Sequence, residues 1–106
     1  MSTALVERYF DRAVLPDPEP YLAQFADDAV AEDEGHLYEG IDAIRTWRSR
    51  VPPVAYDVRA LDPTEGGFRA LVDISGDFPG SPVTLGFAFV FRGEVIEHLA
   101  IRPVDG

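Results

Sequence analysis

The first half of the chain carries apolar residues at helical spacing. Residues 3–15 place six of them on one stripe: Leu5, Val6, Tyr9, Phe10, Ala13 and Val14. A second short helix is predicted after this one, because Asp17 can cap it and Pro18 suits its first position. A third helix is predicted after Gly40 and ends at the proline pair 52–53. Its expected buried side consists of Ile41, Ile44, Trp47 and Val51.

The second half alternates with a period of two, which is typical of strands. A short strand is predicted within 26–33, and longer ones within 54–60, 68–74, 83–91 and 94–101. The expected inward faces are Val54, Tyr56, Val58 and Ala60, then Phe68, Ala70, Val72 and Ile74, then Val83, Leu85, Phe87, Phe89 and Phe91. Helices followed by strands favour an α+β fold with a mostly antiparallel sheet.

The opposite face of the 83–91 strand is small and smooth. It carries Thr84, Gly86, Ala88 and Val90. A face this apolar is seldom left in water. We therefore expect a second copy of the protein to cover it, which predicts a homodimer through the outer face of the sheet.

Composition narrows the class of protein. The 106 residues suit a single domain spanning 1–106. The absence of cysteine excludes disulfides, thiolate catalysis and zinc–thiolate sites. A net charge of -10 disfavours nucleic acid and anionic membranes as partners. No apolar run approaches the roughly 20 residues that cross a bilayer, and the first residues do not resemble a signal peptide, so we expect a cytoplasmic protein.

Several strings carry a family resemblance across nearly the whole chain. They are FADDAVAED, YEGIDAIRTW, GDFPGSPV and FRGEVIEHLAI. Together they resemble the nuclear transport factor 2-like superfamily, in its SnoaL-like polyketide cyclase and ketosteroid isomerase branch. The resemblance implies a cone-shaped α+β fold, in which a curved sheet wraps three helices around a deep pocket, usually in a homodimer. The superfamily holds isomerases, cyclases, epoxide hydrolases, dehydratases and non-catalytic domains, so it specifies the fold better than the function.

The isomerase branch can be compared with this sequence residue by residue. The resemblance implies a tyrosine that holds the developing enolate oxygen, which falls on Tyr9, and an aspartate that moves the proton, which falls on Asp33. The second oxyanion donor of the isomerases falls on Phe87, so that donor is missing. A pocket position on the last strand falls on His98, which could assist Asp33 if it points inward; a bulge in that strand would decide its direction.

The stretch 31–40, AEDEGHLYEG, holds four carboxylates and one of the two histidines. Alternation places Ala29, Ala31 and Asp33 on one side of the strand, as a pocket wall with one polar group. The alternative is that Asp33 ends the strand and accepts hydrogen bonds from loop amides. The remaining acids and His36 are interpreted as a solvated loop, whose charges are partly neutralised by the nearby Arg45, Arg48 and Arg50. We expect no metal site and no cofactor.

Two functions of different classes follow. The first is a cofactor-independent enzyme, in which Asp33 moves a proton on a small apolar molecule or activates water, with Tyr9 holding the charged oxygen. The second is a non-catalytic homodimeric domain that binds a ligand or serves a structural role. The residues expected to line or close the pocket are Trp47, Tyr56, Phe87, Phe89 and Tyr21. For Tyr9 alone, a packed aromatic whose hydroxyl bonds to the backbone remains the alternative.

Overall fold

The computed structural model describes residues 3–104. Its helices are α1 (Ala4–Ala13), α2 (Glu19–Leu22) and α3 (Ile41–Ser49), and its strands are β1 (Phe25–Asp33), β2 (His36–Glu39), β3 (Val54–Thr64), β4 (Gly67–Gly76), β5 (Val83–Arg92) and β6 (Val95–Pro103). The apolar stripe of α1 is buried at Val6, Tyr9 and Phe10. Its predicted last member, Val14, is 56% exposed, because the helix ends at Ala13. Helix α2 begins at Glu19, one residue later than predicted, because Pro18 takes the N-cap position instead of the first helical position. The Asp17 carboxylate accepts a hydrogen bond from the Glu19 amide at 3.0 Å.

The six strands form one sheet in the order β2-β1-β6-β5-β4-β3. Only the pairing of β1 with β6 is parallel among the strand pairs that the described residues form. This confirms the predicted α+β fold with a mostly antiparallel sheet. The helices cover the sheet face that carries the large side chains, so the core includes Phe68, Val72, Phe87, Phe89, Phe91 and Leu99. Among residues 3–104, no helix is long and apolar enough to cross a membrane.

The predicted loop after Asp33 is wrong, because the chain there forms a tight hairpin. Asp33 pairs directly with His36, which leaves Glu34 and Gly35 as a two-residue turn. Both turn residues have positive φ, at 51° and 88°, as a type I′ turn requires. His36 therefore begins strand β2 at the edge of the sheet instead of lying in a loop.

Two bulges change the direction of side chains that simple alternation would misplace. The register of β3 against β4 shifts between Val58 and Ala60. Ala60 consequently lies on the outer face, and Leu61 packs against the core, which corrects the predicted inward position of Ala60. In β6, Phe91 pairs with Ile96 and Val90 pairs with His98, so Glu97 is the extra residue of the second bulge.

Candidate active site

A cavity of about 240 Å³ lies between the helices and the inner face of the sheet. We call it the inner cavity. Most of its lining is apolar, and its polar groups are few, which is the usual character of a small-molecule site. Its walls are formed by Tyr9, Asp33, Glu34, Trp47, Arg48, Val51, Pro52, Val54, Tyr56, Ile74, Phe78, Val83, Leu85, Phe87 and Ile101.

Asp33 lies on the wall of the inner cavity at the end of β1. Ala29 and Ala31 precede it on the same face and are fully buried, so the strand presents two methyl groups followed by one carboxylate. The indole N–H of Trp47 donates a hydrogen bond of 3.0 Å to Oδ2 of Asp33. Within residues 3–104, Oδ1 of Asp33 accepts no hydrogen bond. One carboxylate oxygen is therefore anchored by a rigid helix side chain, while the other is available to a bound molecule.

Tyr9 and Tyr21 form a buried pair of phenols. Their hydroxyl oxygens lie 2.8 Å apart, and either group could donate. Burial raises the pKa of Tyr9 well above its ordinary value of 10.0, with a further contribution from Tyr21. Burial also raises the pKa of Tyr21, although the positive charge of Arg48 acts in the opposite direction. Both rings therefore stay neutral near pH 7, and if Tyr21 donates to Tyr9, the Tyr9 proton is free for a second acceptor.

Arg48 also lines the inner cavity, which differs from its predicted role as a partner of surface acids. Its guanidinium carbon lies 4.1 Å from the centre of the Tyr21 ring. One of its N–H groups donates to the carbonyl oxygen of Ala13 at 3.1 Å. Burial tends to lower the pKa of Arg48, but nearby tyrosines, with Tyr21 and Tyr9 foremost, outweigh this and raise it. Arg48 is therefore a permanent cation at the cavity wall.

His98 does not point towards Asp33. Because of the bulge at Glu97, the side chains of Ile96 and Leu99 lie on the inner face of the sheet, where both are almost fully buried. The side chain of His98 lies on the outer face, next to those of its pairing partners. Those partners are Val30 and Val90. The predicted assistance of Asp33 by His98 therefore finds no support in the geometry. The only hint in the sequence was the broken alternation of the last strand.

The expected lining residues divide into two groups. Trp47, Tyr56 and Phe87 line the inner cavity. Phe89 and Tyr21 do not line it, and instead pack in the core against Tyr9, with ring centres 5.1 Å and 5.2 Å from its own. The apolar Phe87 side chain stands on the wall and offers no hydrogen bond, as the comparison with the isomerases implied.

Among residues 3–104, no three potential metal ligands of the His, Asp or Glu type lie close enough together to hold one ion. Glu32 points to the outer face and pairs with Arg102 at 2.9 Å, and this contact lowers the pKa of Glu32. The predicted neutralising role of Arg45 and Arg48 is wrong, because Arg45 pairs with Glu19 and Arg48 faces the tyrosines. Asp33 is thus the one acid of this stretch with a hydrogen-bonded place on the inner wall.

Comparison with known proteins gives matches at the level of three-dimensional structure. No protein-family model matches the sequence, and no curated protein matches it. The chain superimposes with a TM-score of 0.86 on a candidate polyketide cyclase from Sinorhizobium meliloti. The two share 31% sequence identity, over 93% of this chain and 94% of the other.

More distant structures share the fold. A protein with a ketosteroid isomerase-like fold from Catenulispora acidiphila, solved with trimethylamine, is 18% identical over 95% of this chain and 85% of its own, with a TM-score of 0.81. A nuclear transport factor 2-like protein of unknown function from Cytophaga hutchinsonii is 11% identical over 98% of this chain and 91% of its own, also with a TM-score of 0.81. At these identities the likeness concerns the fold alone.

Proposed function

Because this chain belongs to the nuclear transport factor 2-like superfamily, among its SnoaL-like and ketosteroid isomerase-like members, we propose that it is a cofactor-independent enzyme that moves a proton on a small apolar carbonyl compound. The observation that carries the proposal is the Asp33 carboxylate on the wall of an otherwise largely apolar cavity, anchored through one oxygen by Trp47. A base held in this way meets its substrate with little reorganisation.

The proposed step begins with a carbonyl compound whose double bond lies one carbon away from conjugation. Asp33 takes a proton from the carbon between the carbonyl group and the double bond. Negative charge then develops on the carbonyl oxygen, and the Tyr9 hydroxyl donates a hydrogen bond to it. The protonated Asp33 returns the proton to the far carbon of the former double bond, so the double bond moves into conjugation and the enzyme is restored.

The composition of the chain excludes two common forms of covalent catalysis. The sequence contains no cysteine, and all nine of its basic residues are arginine, so neither a thiolate nor a lysine imine is available in it. The buried Tyr9 hydroxyl stays protonated because burial raises its pKa. A neutral phenol can donate to an enolate oxygen throughout the ordinary pH range.

The test uses 3-cyclohexen-1-one, whose isomerisation to 2-cyclohexen-1-one is followed by ultraviolet absorbance. Asp33→Asn keeps the size of the side chain and an acceptor for Trp47, but removes the base. We expect turnover to fall by about a hundredfold or more, since general base catalysis contributes about that much. Circular dichroism should show an unchanged fold. Asp77→Asn, at an exposed turn, is the matched control. Equal turnover by the wild type and Asp33→Asn would refute the role of Asp33.

We also propose that the protein forms a homodimer through the outer face of the sheet. This face carries a depression of about 390 Å³, lined by Ala60, Asp62, Arg69, Ala70, Leu71, Gly86, Ala88, Ala100, Arg102, Pro103 and Val104. Small residues at its centre let another backbone approach closely. The charged Asp62 and Arg69 also line this depression, which we call the outer groove, and neither forms an ion pair among residues 3–104. A second copy could therefore pair with them.

Light scattering coupled to size-exclusion chromatography tests the dimer. Ala88→Glu places a charge in the centre of the groove, and we expect it to shift a dimeric protein towards the monomer because a buried unpaired charge opposes association. Val14→Glu adds the same charge on the helical side and should leave the mass unchanged. A monomeric wild type at high micromolar concentration would contradict the proposal.

A further inference from the structure

A second cavity, of about 530 Å³, adjoins the inner cavity; we call it the outer cavity. Arg12 and Arg45 line the outer cavity, and Arg48 lines both. Val51, Pro52 and Val54 are also shared, so the two spaces meet beyond the end of α3. No aspartate or glutamate of the described chain lines the outer cavity, although the sequence holds 19 acids and 9 bases. The charged residues that line the outer cavity are therefore all positive, although the protein as a whole carries a net negative charge.

These arginines differ in how their charge is compensated. Arg45 is paired with Glu19, which approaches two of its nitrogens at 2.5 Å and 3.4 Å. Arg12 donates to the carbonyl oxygen of Pro20 at 3.2 Å. Arg48 has no carboxylate within 4.0 Å in the part of the chain that the structure describes, because none of the ion pairs found there includes Arg48. At the junction of the two cavities, Arg48 is thus a half-buried cation without a counter-charge.

An arginine side chain carries five N–H donors in a planar fork. Arg48 donates one of them to the carbonyl oxygen of Ala13 and also lies within hydrogen-bonding reach of the Tyr56 hydroxyl. The position of the guanidinium over the Tyr21 ring restricts its movement through a cation–π contact. Water is partly excluded from this position, so an anion gains more from the remaining donors than it would at the surface. The fork matches the two oxygens of a carboxylate in particular.

We propose that Arg48 binds a carboxylate group of the substrate, which makes the substrate class small apolar carbonyl compounds that carry one carboxylic acid. This inference rests on the proposed function for the place of the reaction. The carboxylate lies at the junction of the cavities, and the apolar body extends into the inner cavity towards Asp33. The reverse orientation would bring the carboxylate to Asp33 and Glu34, where like charges repel. The charges of the two ends thus orient the molecule.

Binding of 4-phenylbutanoate and of its neutral relative 4-phenylbutanamide tests the charge preference. Trp47 is the single tryptophan of the sequence and lines the inner cavity, so its fluorescence reports binding. We expect the acid to bind about tenfold or more tightly than the amide, because hydrogen bonds between a partly buried arginine and a carboxylate are stronger than those to a neutral amide. This preference should weaken with added salt.

Variants separate binding of the anion from support of the fold. Arg48→Gln should abolish the preference for the acid while retaining affinity for the amide. Arg48→Lys keeps the charge without the planar fork, so it should retain part of the preference for the acid. Arg50→Gln removes an equal charge at an exposed position and should retain all of it. Equal loss of acid and amide binding in Arg48→Gln would assign Arg48 a structural role and overturn the proposal.

The decisive comparison does not require a folded variant. If Arg48→Gln fails to fold, the wild type and Arg48→Lys still decide, because equal affinity of the wild type for acid and amide overturns the proposal by itself. The outcome is also distinct from the test of Asp33. A preference for the acid, without turnover of 3-cyclohexen-1-one or of its carboxylated derivatives, supports the anion site and refutes the enzyme, and turnover of 3-cyclohexen-1-one without that preference does the reverse.

Discussion

The buried phenol pair predicts an unusual loss of stability at alkaline pH. Tyr9 and Tyr21 are protonated in the folded protein because burial raises the pKa of each, whereas the unfolded chain releases both protons near the ordinary value of 10.0. The unfolded state then binds fewer protons than the folded state, so the free energy of unfolding falls as pH rises above 10. Below that value the contribution of the pair is constant.

The magnitude follows from the number of protons. Each buried tyrosine removes about 1.4 kcal/mol from the free energy of unfolding at pH 11 and about 2.7 kcal/mol at pH 12. The pair therefore removes about 3 and about 5 kcal/mol at these two pH values. A domain of this size is stable by about 5–15 kcal/mol, so the two rings alone can bring it close to unfolding.

The substitution that probes this pair is Tyr21→Phe. It removes one titrating group and leaves the Tyr9 hydroxyl without its partner at 2.8 Å. At pH 7 we expect a loss of about 1–3 kcal/mol for the unpaired buried hydroxyl. Between pH 10 and pH 12 the further loss should be about half that of the wild type. In the double variant Tyr9→Phe/Tyr21→Phe, both partners become apolar, so the loss at pH 7 should be small and the alkaline loss should largely disappear.

The assay is urea unfolding followed by circular dichroism at intervals from pH 7 to pH 12, together with tyrosinate absorbance. The sequence favours a clean result, because it contains no lysine and no cysteine whose ordinary titration would overlap. Tyr38→Phe leaves the buried pair intact and serves as the control. If Tyr21→Phe loses stability as steeply as the wild type above pH 10, the linkage of the pair to stability is refuted.

Two further substitutions test the site and the sheet. Trp47→Phe removes the donor to Asp33, so turnover of 3-cyclohexen-1-one should fall about tenfold or more; unchanged turnover relative to the wild type would contradict the anchoring role. Gly67→Ala would place its Cβ 1.7 Å from the carbonyl oxygen of Phe89, so urea unfolding should show a loss of about 3 kcal/mol or more. Gly86→Ala meets nothing closer than 3.7 Å within its own chain, so at a dilution where the protein is monomeric it should change stability by about 0.5 kcal/mol at most. An equal effect of the two substitutions under these conditions would refute the steric argument.

The elements of the fold could largely be predicted from the sequence, because periodicity is a local property. The stripe of α1 and the inward face of β5 follow from spacing alone. Burial confirms the stripe at Val6, Tyr9 and Phe10, and the face of β5 at its three phenylalanines. The inward direction of Asp33 follows in the same way, from two alanines at alternate positions before it. Prediction failed where a single residue changes the register: Arg59 in β3 and Glu97 in β6 reverse the faces of the residues that follow.

The candidate site depended on contacts between distant segments, which spacing does not encode. The hydrogen bond from Trp47 to Asp33 joins α3 to β1, and the hydroxyl pair of Tyr9 and Tyr21 joins α1 to α2. Arg48 shows the same limit most clearly. Arginine has a long apolar stem and a charged head, so its sequence position is compatible with either solvent or a cavity.

Local spacing thus predicted three helices and all strands except β2, the apolar inner face of the sheet, and the carboxylate of Asp33 on that face. Only the tertiary structure decided which polar groups share a cavity with that carboxylate. His98 lies outside the cavity, because a bulge of one residue reverses the direction of the side chains that follow it in β6. Arg48 lines the cavity, because the packing of the helices encloses a cation that local patterns assign to the surface.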